Sequence, residues 1–227
     1  MNMPPPARRI TTQKCSQGSG DRPRLLLSGE DYTPFFFVHV PKTGGSSIVS
    51  ALRRQLGQDN IHEFAGHCPA PSAIFRWGRE WFDEHYTFGV VRNPWDRFFS
   101  LYNFCMQVHK DPLTPEKDWP FEKWAKAVLV DRVQEVMRIY RNIRPMTTWL
   151  YSQGEPVVDD IGRFERLDEA WEMFTARLGI PYLALPKVNA TAHVPYLDAY
   201  RAHPELVDFV AVFYKSDVEV FNYDLVE

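Results

Sequence analysis

Apolar residues fall into two short unbroken runs and several stripes of helical spacing. Phe36, Phe37, Val38 and Val40 make up the first run, bounded by Pro34 and Pro41, and it reads as a buried strand. After the polar stretch "PKTGGSS", Ile48, Val49, Leu52 and Leu56 share one helical face, and Gly57 is a natural stop. The second run, "YTFGVV" from Tyr86 to Val91, leads at once into "RNPWDRFFSLYNF". There Asn93 is placed to cap a helix and Pro94 to fill its first turn, with Trp95, Phe98, Phe99 and Tyr102 as the inward stripe. Two apolar strands that each feed a helix predict parallel strands in an α/β sheet.

Later segments carry weaker signals. Val133, Val136, Met137 and Tyr140 predict a further helix. "DIGRFERL" reads as a short strand leaving into a loop, after which Asp168 is expected to cap a helix. Trp171, Phe174 and Leu178 would face inward along that helix, and Gly179 would end it. The stretch "PELVDFVAVFYKSDVEVFNYDL" predicts two helical pieces that close the domain. Residues 1–33 are rich in Pro, Arg, Ser, Gly and Thr and lack periodicity, so they are expected to form a flexible leader. An organelle transit peptide and a plain disordered tail both fit that composition. Residues 34–227 are expected to form one α/β domain, a phosphate-loop-like parallel sheet flanked by helices.

The chain has 227 residues, enough for one substantial core, with 44% hydrophobic and 24% charged residues. The formal net charge of -3 gives no global attraction to nucleic acid, so any anion site must be local. Cys15, Cys68 and Cys105 match neither a closed disulfide set nor a zinc pattern, which favours a reducing compartment. No run approaches the ~18 consecutive apolar residues of a membrane span.

The polar stretch between the first strand and its helix carries the first chemical signal. Helix-start amides lack intrahelical acceptors and the helix dipole is positive there, so such a site attracts anions. Gly44 and Gly45 would let an anion approach the backbone, Thr43, Ser46 and Ser47 would add donors, and Lys42 would add charge. Lys42 precedes the glycines, so the pattern is not the "GxxxxGK[ST]" of nucleoside-triphosphate loops. A capped helix start after a strand is the alternative. In the second segment Arg92 ends a strand and Ser100 lies eight residues on. A guanidinium can grip a phosphate through two hydrogen bonds and a hydroxyl can add another.

These motifs resemble a known family. "VPKTGGSS" looks like the 5′-phosphosulfate loop of sulfotransferases that use 3′-phosphoadenosine 5′-phosphosulfate (PAPS), and "VVRNPWDRFFSLYNF" looks like their 3′-phosphate motif. "IGRFERLDEAWEMFTARLGI" and "LPKVNAT" are similar to later segments of carbohydrate sulfotransferases, including the uronyl 2-O-sulfotransferase relatives, and "DVEVFNYD" is similar to the family's usual ending. The resemblance spans Phe35 to Asp224. It implies PAPS as co-substrate without a metal, held by Lys42, Thr43, Gly44, Gly45, Ser46, Ser47, Arg92 and Ser100. It also implies a carbohydrate or other hydroxyl acceptor, Lys42 acting at the leaving oxygen, and His67, after Gly66, as the general base. Glu63 and His62 compete for the base role, and a structural loop histidine is the plain alternative. His39 is expected to be a satisfied core histidine, and His85, His109, His193 and His203 show no metal-like pairing.

Other roles stay open. Arg163 and Glu165 could lie near the nucleotide or form a surface ion pair. Lys187, Asn189 and Thr191 could cover the nucleotide. Trp77, Trp81 and Trp119, with Arg76 and Arg79 beside them, could line an acceptor cleft or belong to core and surface. A kinase-like phosphoryl transferase and a non-catalytic nucleotide-binding module are the competing functions. The resemblance without a signal or anchor motif points to a cytoplasmic, bacterial enzyme.

Overall fold

The computed structural model describes residues 32–57, 67–108, 119–131, 140–188 and 194–226. Strand β1 (Phe35–Val38) is followed by α1 (Gly45–Leu56), α2 (Ala70–Trp77) and α3 (Arg79–Asp83). Next come β2 (Tyr86–Val91), α4 (Pro94–Val108), α5 (Phe121–Leu129), α6 (Tyr140–Ile143) and α7 (Thr147–Leu150). A two-residue hairpin pair, β3 (Tyr151–Ser152) and β4 (Glu155–Pro156), precedes β5 (Asp160–Arg163). Helices α8 (Leu167–Leu178), α9 (Tyr196–Ala202), α10 (Glu205–Phe213) and α11 (Lys215–Phe221) complete the order.

Among the described residues β1, β2 and β5 form a three-stranded parallel sheet in that order, as the two strand-to-helix units predicted. Successive residues of β1 divide between the two sides. Phe36 and Val38 join a core with α2, α3, α4, α5, α7 and α10, while Phe35 and Phe37 pack with α1 and α8. Both faces are therefore covered, which explains why the strands read as continuous apolar runs. Tyr32 and Thr33, on the leader side of the expected boundary, are packed as well. Tyr32 is buried, and Thr33 donates from its N–H to Leu178 O and from Oγ1 to Arg177 O.

The first two strands and the helices after them follow the sequence reading closely. Asn93 caps α4: its Oδ1 accepts from the N–H groups of Trp95 (3.1 Å) and Asp96 (3.4 Å). Asp168 departs from its expected role. A 3₁₀ turn at Phe164–Arg166 runs straight into α8, so the helix has already begun at Leu167 and Asp168 lies in its first turn without a capping bond. Its charge still suits the helix dipole there. Of the helix predicted from Val133 to Tyr140, residues 133–139 lie outside the described residues, and α6 begins at Tyr140. Helices α2, α3, α5, α7 and α9 were not foreseen.

Glycine fixes the distance between β5 and α8. A Cβ on Gly162 would lie 2.5 Å from Ala170 Cβ and 2.9 Å from Phe174 Cζ. Gly162→Ala is expected to lower stability by about 1–3 kcal/mol through overpacking. Urea denaturation gives the measurement, and a variant as stable as wild type would show that α8 yields freely.

Candidate functional site

Parallel strands bring their carboxyl ends to one edge, where open α/β sheets gather their ligand-binding loops. Val38 pairs with Gly89, so Pro41 and Arg92, each three residues further on, emerge side by side. Val91 pairs with Arg163, which places the end of β5 alongside as well. The site is built from these three strand ends.

Between β1 and α1 the chain makes two left-handed steps, at Lys42 (φ 68°) and Gly44 (φ 82°). The second suits glycine, whereas the first strains a lysine and needs outside support. Two arginines provide it. Arg97 donates from Nε to Pro41 O at 3.0 Å, and Arg92 from Nη1 to Lys42 O at 3.1 Å. The first intrahelical bond is from Ser47 N–H to Gly44 O, so the amides of Gly45 and Ser46 precede the helix ladder at its positive end.

The loop residues divide by direction. Ser46 is half-buried, while Ser47 is buried, with Oγ accepting from Val188 N–H at 3.4 Å. Thr43 is buried too and donates from Oγ1 to Val40 O at 2.9 Å, so what it can offer an anion is its amide. The glycines are small for a reason beyond ligand access. A Cβ on Gly44 would lie 2.9 Å from Leu167 Cδ2 and 3.1 Å from Phe164 Cδ2, and one on Gly45 only 2.1 Å from His39 Cδ2. Protein packs against their Cβ side.

Arg92 is buried where β2 meets α4. Its Nε donates to Asp96 Oδ2 at 2.8 Å, Nη2 reaches the same oxygen at 2.8 Å, and the guanidinium lies 4.0 Å from the centroid of the Phe164 ring. These bonds and the one to Lys42 O leave two of the five N–H groups of a guanidinium for an anion. Ser100 is buried one turn beyond Asp96, and Phe104 lies one turn further. Lys42 Nζ sits 4.4 Å from the centroid of the Phe104 ring. Ser100 thus lies on α4 between the residue that holds Arg92 and the ring beneath Lys42. Burial, and next Arg92, lower the Lys42 pKa to about 8, although Cys105 pulls it the other way.

His67 closes another side. Its backbone is left-handed (φ 50°), and Nδ1 lies 2.9 Å from His39 O. A carbonyl only accepts, so Nδ1 carries the proton and the lone pair of the neutral ring is on Nε2. The His67 ring packs on the His39 ring at 4.3 Å and edge-on to Trp149 at 6.3 Å. His39, expected in the core, is half-exposed and sits between His67 and Gly45. Its direction follows from strand alternation, which sends it opposite to Val38 and Val40, to the side of Phe37 and α1. Glu63, His62 and Gly66 lie outside the described residues, as do Asn189 and Thr191.

Arg163 and Glu165 both lock the C-terminal segment in place. Arg163 donates from Nη2 to Phe221 O and stacks over Tyr223 at 4.5 Å. Glu165 accepts from Asn93 N–H at 2.6 Å and from Tyr223 OH at 3.0 Å. Lys187 is exposed in the segment whose neighbour, Val188, binds Ser47. Trp77 and Trp81 are core residues packed on Phe36, and Trp119, partly buried, lies under Lys123. Arg76 lies over the Trp77 ring, and Arg79 pairs with Asp83 at the surface. His203 gathers with Glu122 and Glu205 in a cluster that the spacing did not suggest, and Lys126 already pairs with both acids.

Sequence reading missed Arg97, Asp96, Phe104, Phe164 and His39. Asp96 and Phe104 were within reach, since they flank Ser100 at four-residue spacing. The carbonyl contacts of Arg97 leave no local sequence signal.

A family model described as the sulfotransferase family matches residues 26–224, which takes in all three strand ends. No curated protein matches the chain.

The placement of Lys42 has a measurable consequence. NMR titration of isotope-labelled lysine side chains, assigned with Lys42→Met, is expected to give Lys42 a midpoint near pH 8, set by burial and Arg92. In Arg92→Met the midpoint rises, because a positive neighbour is lost and Asp96 is unpaired. A Lys42 midpoint in the ordinary lysine range near pH 10.4 would contradict the burial of its amine.

Proposed function

The chain belongs to the sulfotransferase family, and from that premise we propose that it transfers a sulfuryl group from PAPS to a hydroxyl of a carbohydrate or glycoconjugate. The observation that carries this reading is the hydrogen bond from Arg92 Nη1 to Lys42 O, which joins the two nucleotide-type motifs into one cationic site. The donor set fits a sulfated bisphosphate nucleotide. It offers helix-start amides, one amine, a guanidinium with N–H groups to spare and the Ser46 and Ser100 hydroxyls. The carboxylate among these residues, Asp96, is bound by Arg92.

In this proposal the β1–α1 connection is a phosphate-loop-like cradle for the 5′-phosphosulfate, formed by the amides of Thr43 to Ser46 with Lys42, and Ser47 lies in the first turn behind them. Arg92 and Ser100 hold the 3′-phosphate. PAPS supplies a sulfuryl group on an activated phosphosulfate and needs no metal for activation. Lys42 stabilises negative charge growing on the leaving oxygen. His67 accepts the acceptor's proton at Nε2, and the resulting imidazolium keeps its Nδ1–H on His39 O. Carbohydrate as the acceptor class rests on the likeness of "IGRFERLDEAWEMFTARLGI" and "LPKVNAT" to carbohydrate sulfotransferases. The transferase domain is taken as residues 34–227, with Tyr32 and Thr33 packed on the end of α8.

Binding tests the donor site. Adenosine 3′,5′-bisphosphate is expected to bind in buffer containing EDTA, and Arg92→Ala to weaken it by about 2–4 kcal/mol, from one or two charge-assisted bonds and an exposed Asp96. Calorimetry that shows strict magnesium dependence, or equal affinity in the variant, would refute the assignment.

Turnover tests the base. His67→Asn tolerates the left-handed backbone and can still donate to His39 O, so it removes the base while keeping the loop. With radiolabelled PAPS and one acceptor, it is expected to lower kcat by ~10²–10⁴-fold at near-constant nucleotide affinity. If Glu63→Gln fails while His67→Asn turns over normally, the base is Glu63.

A further inference from the structure

We propose that His39 is a positioning residue that holds the His67 imidazole in its proton-accepting orientation and couples it mechanically to the donor loop. The proposal rests on the reading of His67 as the base. Three contacts carry it. The His39 carbonyl receives His67 Nδ1–H at 2.9 Å, and so selects the tautomer. The His39 ring lies 4.3 Å from the His67 ring at 37°, and so limits how that ring can turn about its hydrogen bond. An edge of the same ring lies against α1, where a Cβ on Gly45 would be 2.1 Å from His39 Cδ2 and 2.3 Å from Nε2. Phe37 supports it from the strand at 5.6 Å and 22°.

His39 is therefore a wedge with one face on the base and an edge on the first helical residue of the cradle. Any shift of Gly45 on loading the donor is passed through a rigid ring to His67. The backbone carbonyl survives substitution at position 39 and the ring does not, so the two contributions can be separated. Phenylalanine preserves a flat ring of similar reach, whereas alanine removes it.

The experiment combines imidazole ¹⁵N–¹H NMR, calorimetry with adenosine 3′,5′-bisphosphate, and turnover, in wild type, His39→Ala and His39→Phe, with His67→Asn to assign the spectrum. Wild type is expected to show His67 protonated at Nδ1 with a protected proton. His39→Ala loses that protection and mixes the tautomers, and kcat falls by about 10–100-fold from misorientation. Its nucleotide affinity stays within about 3-fold, the span of an indirect effect. His39→Phe restores both the resonance and most of kcat. Gly45→Ala, which pushes on the ring from the other side, disturbs the same resonance with His39 intact. A protected His67 Nδ1–H and normal kcat in His39→Ala overturn the proposal. A His39→Phe variant as impaired as His39→Ala also overturns it, because the nitrogen and not the wedge would then matter. If His67→Asn turns over normally, the base reading falls, and the resonance alone decides whether His39 orients His67.

Discussion

Two consecutive carbonyls, those of Pro41 and Lys42, are held by two arginines from the β2–α4 segment, and the site depends on those bonds. A trans peptide points its N–H opposite its C=O. Turning these carbonyls toward Arg97 and Arg92 therefore turns the amides of Lys42 and Thr43 the other way. The left-handed step at Lys42 is the backbone consequence, and the arginine bonds keep a strained lysine in place. The same bonds explain why Lys42 comes before the glycines. In the proposed donor site the residue that supplies charge also offers its carbonyl to Arg92, and the glycines follow where the chain turns again beneath Phe164 and beside His39.

Holding a loop with a buried cation has its own requirements. Arg97 is 1% exposed. Besides Pro41 O it donates from Nη2 to Asn142 O at 2.8 Å, and its field reaches Asp217 on α11. Burial pushes the Asp217 carboxyl above its ordinary pKa, against the opposing pull of Arg97 and of the amides it accepts from. Those amides belong to Met146 (2.7 Å) and Thr147 (2.9 Å), and Met146 Sδ in turn receives the Arg92 N–H at 3.3 Å. A C-terminal helix is thus wired to both arginines. Removing Asp217 would take away the negative charge whose field meets the buried Arg97 guanidinium and leave the Met146 and Thr147 amides without their acceptor.

Much of this architecture was legible because it is local. Apolar runs that end in Pro41 or Arg92 announced β1 and β2, and Gly57 and Asn93 marked helix ends with turn and cap chemistry that needs no tertiary context. Asp168 misled because a side chain suited to capping is equally at home in a first turn, and only the 3₁₀ turn before it decides. Helices α2 and α3 follow prolines and glycine in a short aromatic stretch whose period was hidden by Trp77, Trp81 and Phe82 all facing the core. At the site, Lys42, Arg92 and Ser100 stood out by residue type and spacing. Arg97 and His39 did not, because their roles come from carbonyl and ring contacts across 56 and 28 residues of chain.

The two sides of the site are built by different means. On the donor side nearly every group is fixed by backbone or by a partnered side chain: Thr43 to Val40, Arg92 to Asp96 and Lys42, Ser47 to Val188. Glu165 and Asn93 then tie the β2 and β5 ends to Tyr223 and Asp224, so the C-terminal segment braces the same edge. A rigid anion cradle of this kind costs little reorganisation when charge develops in it. On the other side lies His67, at a left-handed loop position where its ring meets the His39 carbonyl, the His39 ring and Trp149. In a chain of net charge -3 the cationic groups Lys42 and Arg92 are thus held by the scaffold, while the His67 ring rests on the strand-end residue His39 and on Trp149. Under the proposed function, donor binding is therefore tied to the fold, while the acceptor side is carried by a loop position.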